Sequence, residues 1–403
     1  MNERSVLLEG CGVYSGGTRV RLELRHVPNF SIFPGQIVAV EGHNPSGHCL
    51  VVERVHSSAP APMTRPNRKE KSNDSSDVKE NSDNNSTKCK ASSLPLSVVM
   101  AAGPFTCSED VEYEPLRDLL KYAVQQHADL VVLLGPFVDT EHPAVKTGAL
   151  DVTFEDLFAN TVRAAVEAAC DERPTLKVVL VPSVRDAHLD MVFPQPTLET
   201  HDFEAMPDQV LGVANPSSLM CNEFMIGLST HDVLKHLSGN EACVSDVKGD
   251  DRLARLANHL VSQRSFYPLY PPPIGAALDT SLSHALTMAN TPDILLVPSD
   301  LSPFAKVLPV NSPAPATAID TPGNASEQTE DSIMETPQPM DTSCTTKSVQ
   351  DVGSVLCINP GRLTKGASAG TFVHLHVSAP NAEDVEAQCN QISKRTRVEI
   401  VRI

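Results

Sequence analysis

The segment LVVLLGPFVD, residues 130–139, decides the fold class. Its first five residues are all apolar, which is typical of a strand that is buried on both faces of a sheet. The run stops at Gly135-Pro136, and the carboxylate of Asp139 follows in the next loop. The same order, an apolar strand and then a loop that begins with Gly or Pro, recurs in SVVMAAGPF at 97–105 and in VVLVPSVRD at 178–186.

Amphipathic helices are predicted between these strands. Pro115 opens a helix whose apolar residues, from Leu116 to Val124, recur at the spacing of one helix face. Thr153 and Asp156 have the spacing of a capping box at the start of the next helix. Further strands are predicted at 224–228, 294–297, 355–358, 371–377 and 398–403, with a further helix from residue 252. Apolar strands that alternate with helices predict an α/β domain whose sheet is covered by helices on both faces.

The N-terminal 56 residues carry a different pattern. Short β-branched or alternating runs at 5–9, 20–24, 36–41 and 49–55 are separated by Gly-rich and Pro-Gly turns. Four short strands in so few residues predict a small β-barrel. Because such a barrel normally has five strands, we expect the first strand to be missing from this chain.

Two tracts, 57–93 and 309–350, contain no aromatic residue and few branched apolar ones. Such segments cannot bury enough apolar surface to offset the entropy of ordering, so both are predicted to be disordered. The predicted domains are therefore 1–56 and 94–403, joined by the first tract, with the second as an acidic insert. Ser312, Thr321 and Thr336 each precede a proline in this insert and are candidate phosphorylation sites. The alternative is that Ser/Thr-Pro pairs are simply common in Pro-rich linkers.

Charge and composition exclude several classes of protein. The sequence has 32 Lys and Arg against 50 Asp and Glu, a net charge of −18, which repels phosphate backbones. No apolar run approaches the roughly 20 residues of a membrane span, and the first residues lack the pattern of a signal peptide. The ten Cys are scattered without a CxxC pair, which favours a reduced intracellular protein over a disulfide framework or a Cys-based zinc site.

Ligands of open α/β sheets bind in the loops that follow the carboxyl ends of the strands. Here those loops begin at Gly103, Gly135, Pro182 and Asn359. Their serial arrangement resembles the calcineurin-like metallophosphoesterases, whose active members carry D-x-H, G-D-x-x-D, G-N-H-D and G-H-x-H at these strand ends. The resemblance implies a two-sheet β-sandwich flanked by helices.

The residues that the binuclear site of such an enzyme requires are replaced in this sequence. The replacements are Gly103 and Phe105 for the first Asp and His, Pro136 after Gly135 for the bridging Asp, Arg185 for a His, and Asn359 and Arg362 in the last loop. Asp139 and Asp186 remain, but two carboxylates do not make a two-metal site, and the two arginines would repel a cation. We therefore predict no catalytic residue, no bound metal and no cofactor.

Seven strings carry a closer resemblance. They are FPGQIVAVEG at 33–42, LLGPFVD at 133–139, VPSVRDAH at 181–188, VFPQP at 192–196, QRSFYPLYPPP at 263–273, PDILLVPSDL at 292–301 and INPGRLTKGASAGTF at 358–372. Together they resemble the B subunits of replicative DNA polymerases, most closely the polymerase alpha branch. Members of that family have an OB fold followed by an inactive phosphoesterase domain, with a helical protein-binding domain and a tether ahead of the OB fold. This chain begins inside the predicted barrel.

The resemblance implies a non-catalytic scaffold in the nucleus. Its expected partner is the C-terminal domain of the polymerase alpha catalytic subunit, with the primase subunits reached through the complex, DNA contacted only weakly or indirectly, and no membrane involved. One alternative is an active metal-dependent phosphoesterase or nuclease with ligands recruited from His127, His142, His188 and His231. The other alternative is the B subunit of a different replicative polymerase.

Three further motifs have competing interpretations. His374 and His376 alternate along a predicted strand, which favours an outer face that happens to carry imidazoles over a metal site. Arg362 and Lys365 lack P-loop spacing, so a turn or an acidic partner is favoured over a phosphate. The segment 263–273 is equally compatible with a polyproline segment read by a partner and with a stiff connector packed on its own domain.

The aromatic residues of the predicted barrel bear on DNA binding. Tyr14, Phe30 and Phe33 are few aromatics for stacking single-stranded DNA. Their number favours a protein-binding barrel.

Overall fold

A computed structural model of the chain describes residues 6–45, 47–63, 95–199, 203, 206, 208–245, 251–310, 353–379 and 391–403. Its strands are β1 Val6–Glu9, β2 Arg19–Glu23, β3 Phe30–Ile32, β4 Val38–His43, β5 Cys49–Ser57, β6 Leu96–Ala102, β7 Leu130–Leu134, β8 Lys177–Val181, β9 Val210–Gly212, β10 Ser217–Cys221, β11 Phe224–Leu228, β12 Ala242–Val244, β13 Ile294–Leu296, β14 Phe304–Val310, β15 Gly353–Asn359, β16 Thr364–Lys365, β17 Ser368–Ala369, β18 Thr371–Val377 and β19 Thr396–Arg402.

The α-helices are α1 Gly12–Ser15, α2 Glu114–Gln125, α3 Pro143–Thr147, α4 Phe154–Phe158, α5 Ala164–Glu172, α6 Val233–Asn240 and α7 Arg252–Ser262. A π-helical turn, Ala159–Arg163, joins α4 to α5, and short 3-10 helices occupy Thr280–Leu286 and Ile392–Arg395. None of the described helices has both the length and the apolar character that crossing a membrane requires.

Strand β7, the apolar run at 130–134, lies within a six-stranded sheet of order β19-β18-β6-β7-β8-β9. Strands β6 to β9 are parallel to one another, as their Val- and Leu-rich runs predict. Strand β18 pairs antiparallel with β6, and β19 pairs antiparallel with β18. The parallel order matters for the site because it places the loops after β6, β7 and β8 at one edge of this sheet.

A second sheet has five strands in the order β10-β11-β13-β15-β14. Its central strands β11, β13 and β15 are parallel, and the edge strands β10 and β14 are antiparallel to them. Strand β14 includes Pro309 and Val310, the first two residues of the predicted insert. The rest of that insert, with Ser312, Thr321 and Thr336, lies outside the described residues.

The two sheets pack face to face, so the expectation of one sheet with helices on both faces is wrong. Alternate residues of β6, such as Val98 and Met100, share a buried cluster with Ile226 and Ile294 of the five-stranded sheet. The opposite face of the six-stranded sheet packs on α2, α4 and α5, and that of the five-stranded sheet packs on α6 and α7. The result is a two-sheet sandwich flanked by helices, in four layers. The sequence of a strand that is apolar on both faces does not show whether each face is covered by a helix or by a second sheet.

Helix boundaries follow the predicted capping signals. The Thr153 hydroxyl accepts a hydrogen bond from the Asp156 backbone N–H at 3.1 Å, which confirms the predicted start of α4. Pro115 lies in the first turn of α2, where its missing N–H costs no intrahelical bond. Asp251 caps α7 in the same way as Thr153, accepting from Ala254 at 3.3 Å.

The N-terminal strands form an open sheet of order β1-β2-β5-β4. All four predicted strands are present, but within the described residues this sheet does not close into the expected barrel, because β1 and β4 do not pair with each other. Strand β3 instead pairs with β12 of the later chain, with Ser31 opposite Cys243. The N-terminal part of the chain is therefore joined to the later part by a separate two-stranded sheet.

The junction at β3 also contains a buried ionic network. The Glu241 carboxylate accepts hydrogen bonds from the Ser31 hydroxyl at 2.5 Å and from Arg255 Nε at 2.8 Å, and it lies 3.2 Å from His259 Nε2. The Glu241 side chain is 4% exposed. Burial alone would raise the pKa of Glu241, but the bonds from His259, Arg255 and Ser31 hold it well below its usual range.

The first residues of the predicted linker are packed rather than free of the fold. Arg264 donates to the carbonyl oxygens of Ala59 and Pro60 at 2.8 and 3.0 Å. The Thr291 hydroxyl donates to the Ala61 carbonyl at 2.6 Å, and Ala61 is buried. The remainder of this tract, residues 64–93, lies outside the described residues.

We predict that Glu241→Gln lowers the free energy of unfolding by roughly 2 kcal/mol at pH 7, because Arg255 then loses its charged partner inside the junction. A depressed carboxyl pKa contributes stability above the unfolded value of 4.5 and loses it as the pH falls towards the folded value. The difference between the wild type and the variant should therefore shrink below about pH 4.5. Urea denaturation at several pH values measures it.

The matched control is Glu9→Gln, which removes an exposed carboxylate paired with Arg19 at 2.8 Å. This change should cost less than about 0.5 kcal/mol. Equal losses in the two variants would show that the junction network does not stabilise the fold.

Candidate functional site

The predicted site loops meet at the edge formed by the carboxyl ends of β6, β7 and β8. Gly103 lies so close to Pro136 that a Cβ atom on Gly103 would overlap the Pro136 carbonyl group. A Cβ on Gly135 would lie 2.6 Å from an Asp186 carboxylate oxygen. The later loop reaches the same edge, since the Thr364 hydroxyl contacts the carbonyl oxygens of Pro104 and Thr106 at 3.0 and 2.9 Å. Close packing at this edge therefore requires both glycines.

Asp186 lies beneath these loops and is completely buried. Its Oδ1 accepts hydrogen bonds from the backbone N–H groups of Phe137 and of Val138, the latter at 3.1 Å. Its Oδ2 accepts from the Ser183 N–H at 2.8 Å. Burial raises the pKa of Asp186 to about 7, although the three N–H groups act in the opposite direction. Both carboxylate oxygens are thus used to hold the loops after β7 and β8.

Asp139, the other retained carboxylate, is neutralised by Arg185. The Arg185 guanidinium donates to Asp139 through Nη2 at 2.6 Å and through Nε at 3.1 Å, a two-pronged ion pair. Asp139 Oδ1 also accepts from the Glu141 N–H at 3.0 Å. The guanidinium therefore contacts both carboxylate oxygens of Asp139, and the effect of Arg185 on a cation stays a prediction.

Aromatic rings fill the floor beside these carboxylates. Phe105 stacks on Phe137 with ring centroids 5.5 Å apart and an angle of 11° between the planes. The buried Tyr113 hydroxyl donates to the Phe137 carbonyl at 2.8 Å. Sequence reasoning singled out Phe105 but missed Phe137 and Tyr113, although Phe137 stands in the quoted string LLGPFVD. Phe105, Phe137 and Tyr113 thus form a buried aromatic cluster next to Asp186.

Asn359 and Arg362 belong to a second polar cluster, at the end of β15. Asn359 Oδ1 accepts from the backbone N–H groups of Ser299 at 2.8 Å and Gly361 at 2.9 Å. Arg362 is buried, and its Nε donates to Asp300 at 3.1 Å while its Nη2 lies 3.6 Å from Asp232. Asn359 therefore binds backbone groups of the neighbouring loops, and Arg362 pairs with carboxylates of the same chain.

Two carboxylates of this second cluster were missed by sequence reasoning. Asp300 also binds the Lys235 ammonium at 2.7 Å, and despite its partial burial, bonds from Lys235 and Arg362 lower the pKa of Asp300 to about 2. Asp232 caps α6 and accepts from the Ser299 hydroxyl at 2.5 Å. Its position before an apolar helical run was the available signal. Arg362 is paired with carboxylates, in line with the preference for a turn over a phosphate.

The four histidines of the enzyme hypothesis serve different parts of the fold. His142 Nε2 contacts the Cys107 carbonyl at 2.9 Å, and His127 contacts Arg173 at 3.0 Å. His231 stacks on Phe193, and burial lowers the pKa of its imidazole to about 3. Burial also lowers the pKa of His188. Among the described residues these four do not gather into a group of three metal-ligating atoms.

The segment 263–273 and the aromatic residues of the N-terminal part each contain both buried and exposed side chains. In the segment 263–273, Phe266, Tyr267 and Leu269 are buried, as a packed connector requires, whereas Tyr270 is 59% exposed. Phe33 is buried with its ring 4.9 Å from that of His259, while Tyr14 is 92% exposed. Phe33 is thus not available for stacking a DNA base.

His374 lies under α2, so the expectation that both imidazoles of the strand face outward is wrong for it. The residue is 1% exposed. Its Nε2 lies 2.8 Å from the Ser97 hydroxyl and its Nδ1 lies 3.0 Å from the Tyr122 hydroxyl. Helix α2 covers this face, which an alternation of residues along one strand does not reveal.

Two family models match this chain, one over its N-terminal part and one over most of the sandwich. Residues 98–306 match a family model that describes the B subunit of DNA polymerases alpha and epsilon. The chain belongs to this family. Residues 1–58 match a model of the OB domain of the DNA polymerase alpha B subunit, so the open N-terminal sheet is an OB domain. The family resemblance predicted from the sequence is confirmed.

Relatives named as B subunits of DNA polymerase alpha agree with this family membership. The protein of Mus musculus is 31% identical over 95% of this chain and 53% of its own length. That of Bos taurus is 33% identical over 76% of the chain and 47% of its own length. That of Schizosaccharomyces pombe is 29% identical over the whole chain and 62% of its own length. The chain thus spans about half the length of the curated relatives that it matches.

We predict that Asp186→Asn costs roughly 2 kcal/mol of unfolding free energy. Whichever way the amide is turned, its NH2 group faces a backbone N–H that has lost its acceptor. The raised pKa means that the folded state holds a proton that the unfolded state, with a value of 3.8, releases. The stability of the wild type relative to the variant should therefore fall as the pH rises from about 4 to about 7, and urea titrations at pH 5 and pH 8 measure this.

Asp151→Asn, at an exposed position, is the control and should leave both the stability and its pH dependence unchanged. If the wild type and Asp186→Asn have equal unfolding free energies at both pH 5 and pH 8, the Asp186 carboxylate does not stabilise these loops.

Proposed function

We propose that the chain is a non-catalytic accessory subunit of the DNA polymerase alpha–primase complex, acting in the initiation of DNA replication. It binds the C-terminal domain of the catalytic subunit and reaches the primase subunits through the complex. The observation that carries the proposal is the use of Asp186 and Asp139. The Asp186 carboxylate accepts hydrogen bonds from backbone N–H groups, and the Asp139 carboxylate pairs with Arg185, so neither faces an open, solvent-filled cleft.

The sandwich is, in this proposal, an inactive calcineurin-like phosphoesterase domain formed by residues 94–403, and residues 1–56 are the OB domain. The four-layer order of helices, sheet, sheet and helices supports this assignment. A two-metal hydrolase needs several carboxylate and imidazole ligands around one water. Gly103, Phe105 and Pro136 supply none at the strand ends that would hold them.

The junction between the two parts supports a partner that contacts both. Strand β3 pairs with β12, and the Tyr270 N–H donates to the Pro34 carbonyl at 3.0 Å, so the two parts present one continuous surface. Ile37, three residues after Pro34, is 72% exposed, and Tyr270 is 59% exposed. Exposed apolar patches mark protein-binding surfaces. We place the catalytic subunit there.

Charge and setting are consistent with this role. A net charge of −18 disfavours direct binding of a phosphate backbone, so contact with DNA is weak or indirect. A replication subunit works in the nucleus and is attached to no membrane. A large, obligate type of interface, above about 2,000 Å² in total, suits a protein whose contribution is its surface.

The test is binding of the full chain to the C-terminal domain of the polymerase alpha catalytic subunit. Tyr270→Ala should weaken the affinity at least about tenfold, because an aromatic anchor at the centre of an interface carries a large share of the binding energy. Biolayer interferometry gives the dissociation constants.

Tyr14→Ala is the matched control, since it removes the same ring from an exposed position on α1, in the N-terminal part. It should leave the affinity unchanged. No measurable binding by the wild type would refute the proposed function, while equal losses in the two variants would refute only the placement of the partner.

A further inference from the structure

The helix-covered face of the six-stranded sheet brings together three metal-ligating side chains that no described function uses. His374 and His376 alternate along β18 and therefore point to the same face. Strand register places Glu399 of β19 directly opposite His374. One nitrogen of each imidazole and one oxygen of Glu399 lie within 4.8 Å of one another. The grouping arises from cross-strand pairing, which the sequence pattern His-x-His does not show.

The residue types suit one class of ion. Imidazole nitrogen and carboxylate oxygen are ligands of zinc and of similar divalent transition metals. With bonds of about 2.1 Å and tetrahedral angles, two ligands of one ion lie about 3.4 Å apart. A pair at the 4.8 Å limit of this group therefore has to close by more than about 1 Å, through rotation of the partly exposed His376 and Glu399 side chains.

We propose that His374, His376 and Glu399 form a three-ligand site for a divalent transition-metal ion, zinc in the first instance, with solvent as the fourth ligand. The site is separate from the loops after β6, β7 and β8, because it lies along the strands β18 and β19 at the side of the sheet. An ion there would tie the last strand of the chain to the strand before it.

Two hydroxyl groups fix the orientation of the His374 ring. If Nε2 donates its proton to the Ser97 hydroxyl, 2.8 Å away, Nδ1 is the ring nitrogen that carries a lone pair. Metal-bound histidines usually donate their other ring N–H to an oxygen in this way. The Tyr122 hydroxyl, 3.0 Å from Nδ1, then yields its place to the ion.

Arg397 works against the ion and so provides a sharp test. Its Nη2 lies 2.5 Å from Glu399 Oε1, and Arg397 stands opposite His376 across the strand pair. The guanidinium competes for the carboxylate and adds a like charge beside the cation. Its side chain is 77% exposed, so replacing it removes the competition without opening the core.

The experiment is isothermal titration of the full chain with zinc chloride. The wild type should show a zinc site that His376→Asn and Glu399→Gln weaken at least about tenfold, while Arg397→Gln keeps it and tightens it severalfold. His43→Asn is the control, since His43 and Glu53 form an exposed pair 3.2 Å apart on the N-terminal sheet and its loss should change nothing. The wild type and all four variants have the same cysteines. Any zinc that binds to thiols therefore contributes equally to each titration.

Unfolding without metal separates a binding effect from a folding effect. His376 is only partly buried, so His376→Asn should melt within about a degree of the wild type before zinc is added. Excess zinc should then raise the midpoint of the wild type and not of the variant. Equal zinc binding by the wild type and His376→Asn, or a loss of binding in Arg397→Gln as large as in Glu399→Gln, would overturn the proposal.

Discussion

The carboxylate of Asp186 accepts hydrogen bonds from three backbone N–H groups in a site that water does not reach, and the loops at the edge of the six-stranded sheet depend on it. Two of its donors lie after β7 and the third lies after β8, so one side chain fixes two loops relative to each other. A larger residue would not fit at position 135, because this carboxylate fills the space beside Gly135. Unpaired buried N–H groups are costly, which makes the carboxylate a structural requirement of this edge.

The acidic groups near Asp186 are also paired within the chain. Asp139 pairs with Arg185, while Asp232 and Asp300 pair with Arg362. Each of these acidic groups near the strand ends thus has a basic or N–H partner from the chain itself. The strand ends at which other α/β proteins bind ligands are here connected by these bonds. The buried network around Glu241 sets the OB domain against the sandwich.

Local features of the fold were predictable because they depend on neighbouring residues. The strand at 130–134 and the cap at Thr153 follow from apolar runs and from side-chain geometry within one turn. The second sheet, the open N-terminal sheet and the pairing of β3 with β12 depend on contacts between distant parts of the chain, and no local pattern encodes them. At the site, residue types alone led to the prediction that metal ligands are missing, whereas the bonds that use Asp186 and the carboxylates around Arg362 appear only in three dimensions. His374 illustrates the same limit, since the helix that buries it lies far away in the sequence.

The most direct test of the closed strand ends is a joint measurement of manganese binding and phosphodiester turnover. The full chain would be titrated with manganese chloride and assayed with bis(p-nitrophenyl) phosphate, with His376→Asn in parallel to remove any contribution from the β18–β19 site. The closed edge predicts no turnover above that of free manganese and no tight binding that depends on Asp139 or Asp186. Stoichiometric manganese in the His376→Asn protein, with hydrolysis that disappears in Asp139→Asn, would contradict it.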